Sequence, residues 1–473
     1  MKYLSLVLIL SCLRAQSQVG VKSETSGVIF SKEELIEDIQ YYRNFHEKHN
    51  TNLYAYHSKA YIDSVFDGLE NNVFPMDEMS FFRYMSIATS SISDGHCLLF
   101  PPHEQIAAAD TLQGFFPFRI RYDQGAFFVT MDLSDSQNYY SSGLIPIDAI
   151  NGVASDSIYD IALRSLPREG NNLQYPNWIL EKYFYEYYSY VFGHPDTFKL
   201  TTFCTSPDGI KNVCVSEKIP AVTKDTLVAR RKNRYPDYPM TKARDNGMSF
   251  TRYDSLNAAV FSLFTWDKTI LRKVYGIHFK DSINTYMQTA IDDSIGTLII
   301  DLRNNQGGFM MYGVYVMRWL MDSTFNYIDK IERVHRTSSN ERIYKSVNTG
   351  RFKSVKPYKH NYGGNVIILT NGGTFSNSSI FTTQMQRYGR AVVMGEETGG
   401  SSLQLTGSFG VHRPLIMPNT KIELSHINYR IVVNKDVPYS GKGVIPDIAI
   451  ADDWNPENGD ILLQKVLKEY LPK

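Results

Sequence analysis

A chain of 473 residues with 49 Lys+Arg against 49 Asp+Glu is long enough for two or three domains around a large core. Its balanced charge excludes recruitment to nucleic acid or to an anionic membrane by bulk electrostatics. The 32 Tyr and 26 Phe suit a core and an aromatic-lined groove equally, so composition leaves that choice open.

The N-terminus reads as an export signal. Met1-Lys2 is basic, residues 4–13 are apolar, and Ala15-Gln16-Ser17 offers small residues for cleavage. We expect residues 1–17 to be a signal peptide, cleaved after Ser17. The apolar run is too short for an ordinary span, and no other stretch is long and apolar enough to cross a bilayer. Ile9-Leu10-Ser11-Cys12 is a weaker match to a bacterial lipoprotein box. The expected location is therefore periplasmic or extracellular, with a lipid anchor at Cys12 as the alternative. Loss of Cys12 leaves Cys97, Cys204 and Cys214. The turn signal Ser206-Pro207-Asp208-Gly209 places Cys204 and Cys214 on two arms of a hairpin, as a disulfide or as two free thiols. Metal-ligand spacing is absent: there is no CxxC, and His46-Glu47-Lys48-His49 is not HExxH. No cofactor is expected.

Residues 18–105 read as a helical N-terminal domain. Ser31 and Glu34 form a capping box, followed by Leu35, Ile36, Ile39, Tyr42 and Phe45 at helical spacing. Further helical patterns cover 61–69 and 79–91, and the domain runs out at Asp94-Gly95-His96. A lone His beside a turn is ordinarily a surface or satisfied core residue, unless a nucleophile elsewhere pairs with it. Residues 110–225 change character. Strands are expected at 115–122 and 126–133, and helices at 157–166 and 172–190. The stretch 141–152, ending in Asn151-Gly152, looks like the core of a PDZ domain, with an ordinary small β-domain as the plainer reading. Such a fold leaves a sheet edge open to an extended peptide. Residues 226–247, charged and poor in apolar spacing, read as a linker.

Residues 248–473 alternate strands and helices, which indicates α/β architecture. Strands at 297–302 and 366–369 each end in a Gly-rich turn, Asn304-Asn305-Gln306-Gly307-Gly308 and Asn371-Gly372-Gly373. Helices are expected at 309–321 and after Ser376, a further strand at 391–394, and a terminal helix at 460–470. Two such turns at one sheet edge are where ligands sit in these folds. Ser376 at a helix start is a good N-cap. On a strand-to-helix turn its hydroxyl is also exposed beside the positive end of the helix dipole, as a nucleophile requires.

Three stretches combine: Asp94-Gly95-His96, Asp301-Leu302-Arg303-Asn304-Asn305-Gln306-Gly307-Gly308 and Thr374-Phe375-Ser376. With Gly395-Glu396-Glu397-Thr398-Gly399 and Gly443-Val444-Ile445-Pro446-Asp447 following in order, the chain resembles the S41 peptidases, which include the C-terminal-processing (tail-specific) proteases and the tricorn core protease. The resemblance covers nearly all of the chain beyond the signal. It implies a helical N-terminal domain, a PDZ-like β domain and a crotonase-like α/β catalytic core. It implies Ser376 as nucleophile, and the backbone N–H groups of Gly308 (or Gly307) and Asn377 as the oxyanion hole. The substrate would be a peptide or unfolded protein segment.

The lysine base of the processing proteases is missing, because the corresponding segment reads Gly399-Gly400-Ser401-Ser402. The tricorn-like alternative makes His96 the general base. A third group should orient His96, and Asp94, Asp436, Glu396 and Glu397 are the candidates. Two other readings stay open. One is a non-catalytic binding protein for peptides or hydrophobic ligands, as in the retinoid-binding proteins that resemble this family. The other is an esterase-like hydrolase.

Overall fold

A computed structural model describes residues 28–102, 104, 106, 113–136, 146–205, 211–216, 218–408, 415–437, 439–455 and 458–471. The expected signal segment with Cys12 lies outside these residues.

Three helices open the described chain. Lys32–His49 begins at Ser31, whose side chain and that of Glu34 cap each other's backbone. Lys59–Asn72 and Glu78–Ile92 begin at Ser58 and Asp77, each bonded to an N–H of the first turn. Such caps satisfy donors that have no partner within the helix. Leu35, Ile39, Tyr42 and Phe45 face a buried core that includes Phe66, Phe81 and Met85. That core also contains Met417, Ile422, Leu424 and Ile427 from the far end of the chain. Buried Asp38 fastens the same contact: it accepts from the Asn419 N–H at 2.9 Å, the Thr420 N–H at 2.9 Å and the Thr420 hydroxyl at 2.6 Å.

The next region is β-rich. Phe118–Asp123 and Ala126–Asp132 pair antiparallel. Ala149–Ile150 and Val153–Ala154 form a tight hairpin. Its turn residues Asn151 and Gly152 have φ of 49° and 80°, the two positive angles that a type I′ turn demands. The strand expected over 115–122 is split. Gln113–Phe115 pairs with Val222–Thr223 instead, because Pro117 has no N–H for a continuous ladder. Leu200–Thr205 and Lys211–Val215 form the expected hairpin, in a register that sets Cys204 opposite Asn212 and Cys214 opposite Thr202. The side chains of both cysteines, and residues 141–145 of the PDZ-like stretch, lie outside what is described. Helix Gln174–Phe192 contributes Leu180, Phe184 and Tyr188 to a core with Phe116, Phe118 and Phe127.

The stretch expected as a linker, 226–247, is helical. Lys224–Arg234 is capped by Thr223, and Pro239–Asn246 starts on its proline. Leu227, Tyr235, Tyr238 and Met240 pack into the core of Phe115, Met131 and Trp178. Sparse apolar residues at the right places outweigh a charged composition.

Six strands make the central sheet, in the order Met248–Tyr253, Ala258–Leu263, Thr297–Asp301, Asn365–Thr370, Val392–Gly395, Ile448–Ala449. The first pair is antiparallel and the rest are parallel. Burial on both faces explains their nearly continuous apolar sequences. The register aligns Asp301 with Leu369, so the two Gly-rich turns leave the sheet side by side.

At this edge Arg303 pairs with Asp301 and Asp460 at 2.6 Å and with Asp452 at 2.9 Å, its side chain 2% exposed. The guanidinium ties the turn to the C-terminal segment. Removing it strands three carboxylates. Arg303→Met is expected to lower the unfolding free energy by about 3–5 kcal/mol, read from urea denaturation.

Candidate active site

The two turns are stitched together by side-chain amides. Asn371 Oδ1 accepts from the N–H groups of Asn304 and Gly373 at 2.9 and 3.0 Å. The Thr374 hydroxyl donates to Leu302 O at 2.9 Å, and the Phe375 N–H to Asn305 O at 3.0 Å. Asn305 Oδ1 takes the Gly307 N–H at 2.9 Å. Gly307 has φ of 94°, and a Cβ there would lie 2.7 Å from Ser376 Cβ and 2.8 Å from the Asn377 nitrogen. Only glycine lets this backbone approach so closely.

Ser376 precedes helix Asn377–Arg387 but does not cap it: its side chain makes no bond to the first turn. Its φ and ψ are 53° and −121°, a sharp turn that is strained for a residue with a Cβ. The hydroxyl instead meets His96 Nε2 at 3.1 Å. Among the described residues, neither the Gly308 N–H nor the Asn377 N–H donates to a protein acceptor, and both lie beside the serine turn. Gly307, with its N–H engaged, is not equivalent.

His96 hangs from the end of helix Glu78–Ile92. Ser93 terminates that helix in the left-handed conformation, φ 57°. Asp94 Oδ1 then accepts from the His96 N–H at 3.0 Å and from the Thr406 hydroxyl at 2.7 Å. The Ser425 hydroxyl donates to the His96 carbonyl at 2.5 Å and accepts from the Leu98 N–H at 2.9 Å. The imidazole packs on the Phe375 ring, centroids 4.7 Å apart, and Phe375 stacks on Tyr175 at 4.2 Å.

The imidazole's other nitrogen faces Glu169. Nδ1 is 3.6 Å from Glu169 Oε1, whose side chain is fully buried, an ion-pair separation rather than a hydrogen bond. Glu169 Oε2 accepts from the hydroxyls of Tyr56 at 3.0 Å and Tyr439 at 3.2 Å. His96 Nδ1, Glu169 Oε1 and Asp94 Oδ2 are buried without a hydrogen-bond partner. Ligand-capable atoms of these three residues lie within 4.8 Å of one another, close enough to share a proton or to hold a cation. Burial pushes the Glu169 carboxyl up to about 8, opposed by the Gly95 N–H. Burial, then the nearness of Glu169, pushes Asp94 up to about 7, against the pull of His96 and Thr406. Burial lowers the His96 imidazole, and Asp94 works against that.

The structure thus brings together Ser376, His96, Gly308 and Asn377. Of the expected orienting acids, Asp94 lies beside His96, and the other three are elsewhere. Glu397 accepts from the Gly443 N–H at 2.8 Å and the Asn172 amide at 3.3 Å. Glu396 takes the Asp452 N–H at 3.0 Å, and Asp436 is exposed. Among the described residues Glu169 is the acid within ion-pair reach of His96. Sequence reading missed it because Arg168-Glu169-Gly170-Asn171-Asn172 looks like a solvated polar turn. The one signal was the empty third place beside His96.

Residues 265–450, the segment carrying Ser376, match the model of peptidase family S41. A carboxyl-terminal-processing protease of Synechocystis sp. is 28% identical over 163 residues, 30% of this chain and 34% of the relative. A probable CtpA-like serine protease of Staphylococcus saprophyticus is 27% identical over 179 residues, 37% of this chain and 32% of the relative. The chain therefore spans about a third of the length of the curated relatives it matches. In fold, it is similar to mature CPAF, with a TM-score of 0.60 at 11% identity over 88% of this chain and 92% of that one. CPAF complexed with lactacystin gives 0.61 at 11% identity, over 93% and 97%. Mixed α/β architecture is common to these structures. Among the described residues no helix is long and apolar enough to cross a membrane.

The buried carboxyl sets a pH dependence. Its value of about 8 in the fold stands above the ordinary 4.5 of a glutamate, so folding favours its protonated form. That stability is present below about pH 4.5 and lost as pH rises through about 8. Asp94, His96, the Tyr56 and Tyr439 hydroxyls and the Gly95 N–H are the groups facing it. Between pH 5.5 and 8.5 the urea midpoint of wild type should fall more steeply than that of Glu169→Gln.

Proposed function

We propose that the protein is an exported serine peptidase that hydrolyses peptides or unfolded protein segments through an acyl-enzyme on Ser376. The observation that carries this is the Ser376 hydroxyl, held on a strained turn 3.1 Å from His96 Nε2, with two unengaged backbone N–H groups beside it. As the Ser376 oxygen attacks the substrate carbonyl carbon, its proton passes to His96 Nε2. The carbonyl oxygen takes up negative charge facing the Gly308 and Asn377 N–H groups, each such donor worth ~10²–10³ in rate. Collapse breaks the C–N bond, and His96 returns the proton to the leaving amine. Water, deprotonated by His96, then attacks the acyl ester, the bond to the Ser376 oxygen breaks, and His96 returns the proton to that oxygen as the carboxylic acid leaves. The family match over 265–450 supports peptide as the substrate class, and residues 110–225, read as PDZ-like, would hold an extended chain by strand addition.

A mixed peptide library read by mass spectrometry tests this. Wild type is expected to cut, while Ser376→Ala and His96→Ala, both folded, are inactive. An active His96 variant would place the base elsewhere. A folded wild type that cuts nothing returns the binding-protein reading.

Export is supported by the basic-apolar-small pattern of residues 1–17. Sequencing of the mature N-terminus is expected to begin at Gln18. A lipid-modified Cys12 at the N-terminus would make it an anchored lipoprotein instead.

A further inference from the structure

We infer that Glu169 is the positioning residue for His96, so that Ser376, His96 and Glu169 act as one relay. The inference rests on the peptidase reading above and assigns the third place that the sequence leaves empty. Glu169 is supplied by the turn between helices Ser155–Leu163 and Gln174–Phe192, far ahead of the serine.

Four observations converge. Oε1 is aimed at His96 Nδ1 at 3.6 Å, and both atoms are buried without another partner. Oε2 is held by two tyrosine hydroxyls from distant segments, so the carboxyl cannot rotate away. The turn itself is fixed, since the Gly170 N–H donates to Ser93 O at 2.9 Å, directly beside the His96 loop. Gly170 has φ of 58°, and a Cβ there would lie 2.5 Å from Tyr56 Cε1. The close seat of Tyr56 over this turn therefore depends on glycine.

The role follows from the imidazole's two nitrogens. To accept the Ser376 proton, Nε2 must carry a lone pair, so the ring's own proton must be on Nδ1. An ionised Glu169 accepts from Nδ1–H and stabilises the imidazolium that forms. A protonated Glu169 would donate to Nδ1, force the ring proton onto Nε2 and block the base. The buried pair Glu169 and Asp94 thus has to release a proton before His96 can work. Burial favours keeping one on the pair near neutrality. The groups facing it are Asp94, His96, the Tyr56 and Tyr439 hydroxyls and the Gly95 N–H, while Arg168 Nη1 is directed to Leu163 O. Reactivity is therefore expected to rise with pH across roughly 7 to 8.

The test is the rate at which a fluorophosphonate labels Ser376, located by mass spectrometry, from pH 6 to 9. It is run beside kcat and KM on a peptide cut by wild type. Glu169→Gln is expected to lose ~10²–10⁴ in kcat and labelling, with KM within roughly threefold. It is also expected to lose the rise between pH 7 and 8 and to melt no lower than wild type. Glu169→Asp should recover at least roughly tenfold over Gln. Should the Gln variant fail to fold, Tyr56→Phe with Tyr439→Phe frees Oε2 and is expected to slow labelling roughly tenfold. A Gln variant with unchanged labelling and an unchanged pH rise overturns the role of Glu169 and leaves the peptidase reading standing. Loss of wild-type activity in EDTA, restored by zinc, would make the cluster a metal site instead. A folded wild type in which Ser376 is not labelled overturns both readings.

Discussion

Everything at the site depends on how two chain crossings are locked at one sheet edge. Strands Thr297–Asp301 and Asn365–Thr370 run parallel and end together, which leaves two turns without ladder partners. The side chains of Asn371 and Thr374 bond the opposite turn, and that of Asn305 braces its own turn through the Gly307 N–H. Asn305 also holds Leu263 O at 2.8 Å, on the neighbouring strand. A buried amide can donate and accept at once, so few residues satisfy many backbone groups. The strain at Ser376 survives because this network over-determines the turn.

Two kinds of buried charge are treated differently. Arg303 meets three carboxylates and is neutralised by them. Glu169 and Asp94 face each other, the His96 imidazole, hydroxyls and N–H groups. Burial outweighs the donors around them and favours the protonated form. The first arrangement suits a strut. The second suits a group that changes its charge during a cycle, and perturbed acids of this kind gather at sites of chemistry.

The sequence displayed this core well and its surroundings poorly. Ile299, Ile300, Ile367 and Ile368 are buried on both faces of a parallel sheet, and such runs leave an unmistakable apolar signature. The glycines of both turns were legible because positive φ and close backbone approach admit little else. Ser376 was ambiguous, since capping and nucleophilic turns share residue types. Only the absence of a capping bond and the 3.1 Å contact separate them. Glu169 was invisible for a different reason. Its burial is created by Tyr56 and Tyr439, residues remote in sequence, and local polarity pointed outward. Helices Lys224–Arg234 and Pro239–Asn246 were missed because four well-placed apolar side chains seat them among many charges.

The sharing of one core by residues 35–97 and 417–427 has a consequence for the order of events at the ribosome. His96 is made early, yet its carbonyl is held by Ser425, and Asp94 by Thr406. Glu169 is steadied by Tyr439. A nascent chain that has already produced Ser376 still lacks all three of these anchors. Ser376 and His96 are thus brought into register only when residues 406–439 have been made and folded back. Truncation before residue 406 takes these anchors away from His96, Asp94 and Glu169 while leaving Ser376 on its turn.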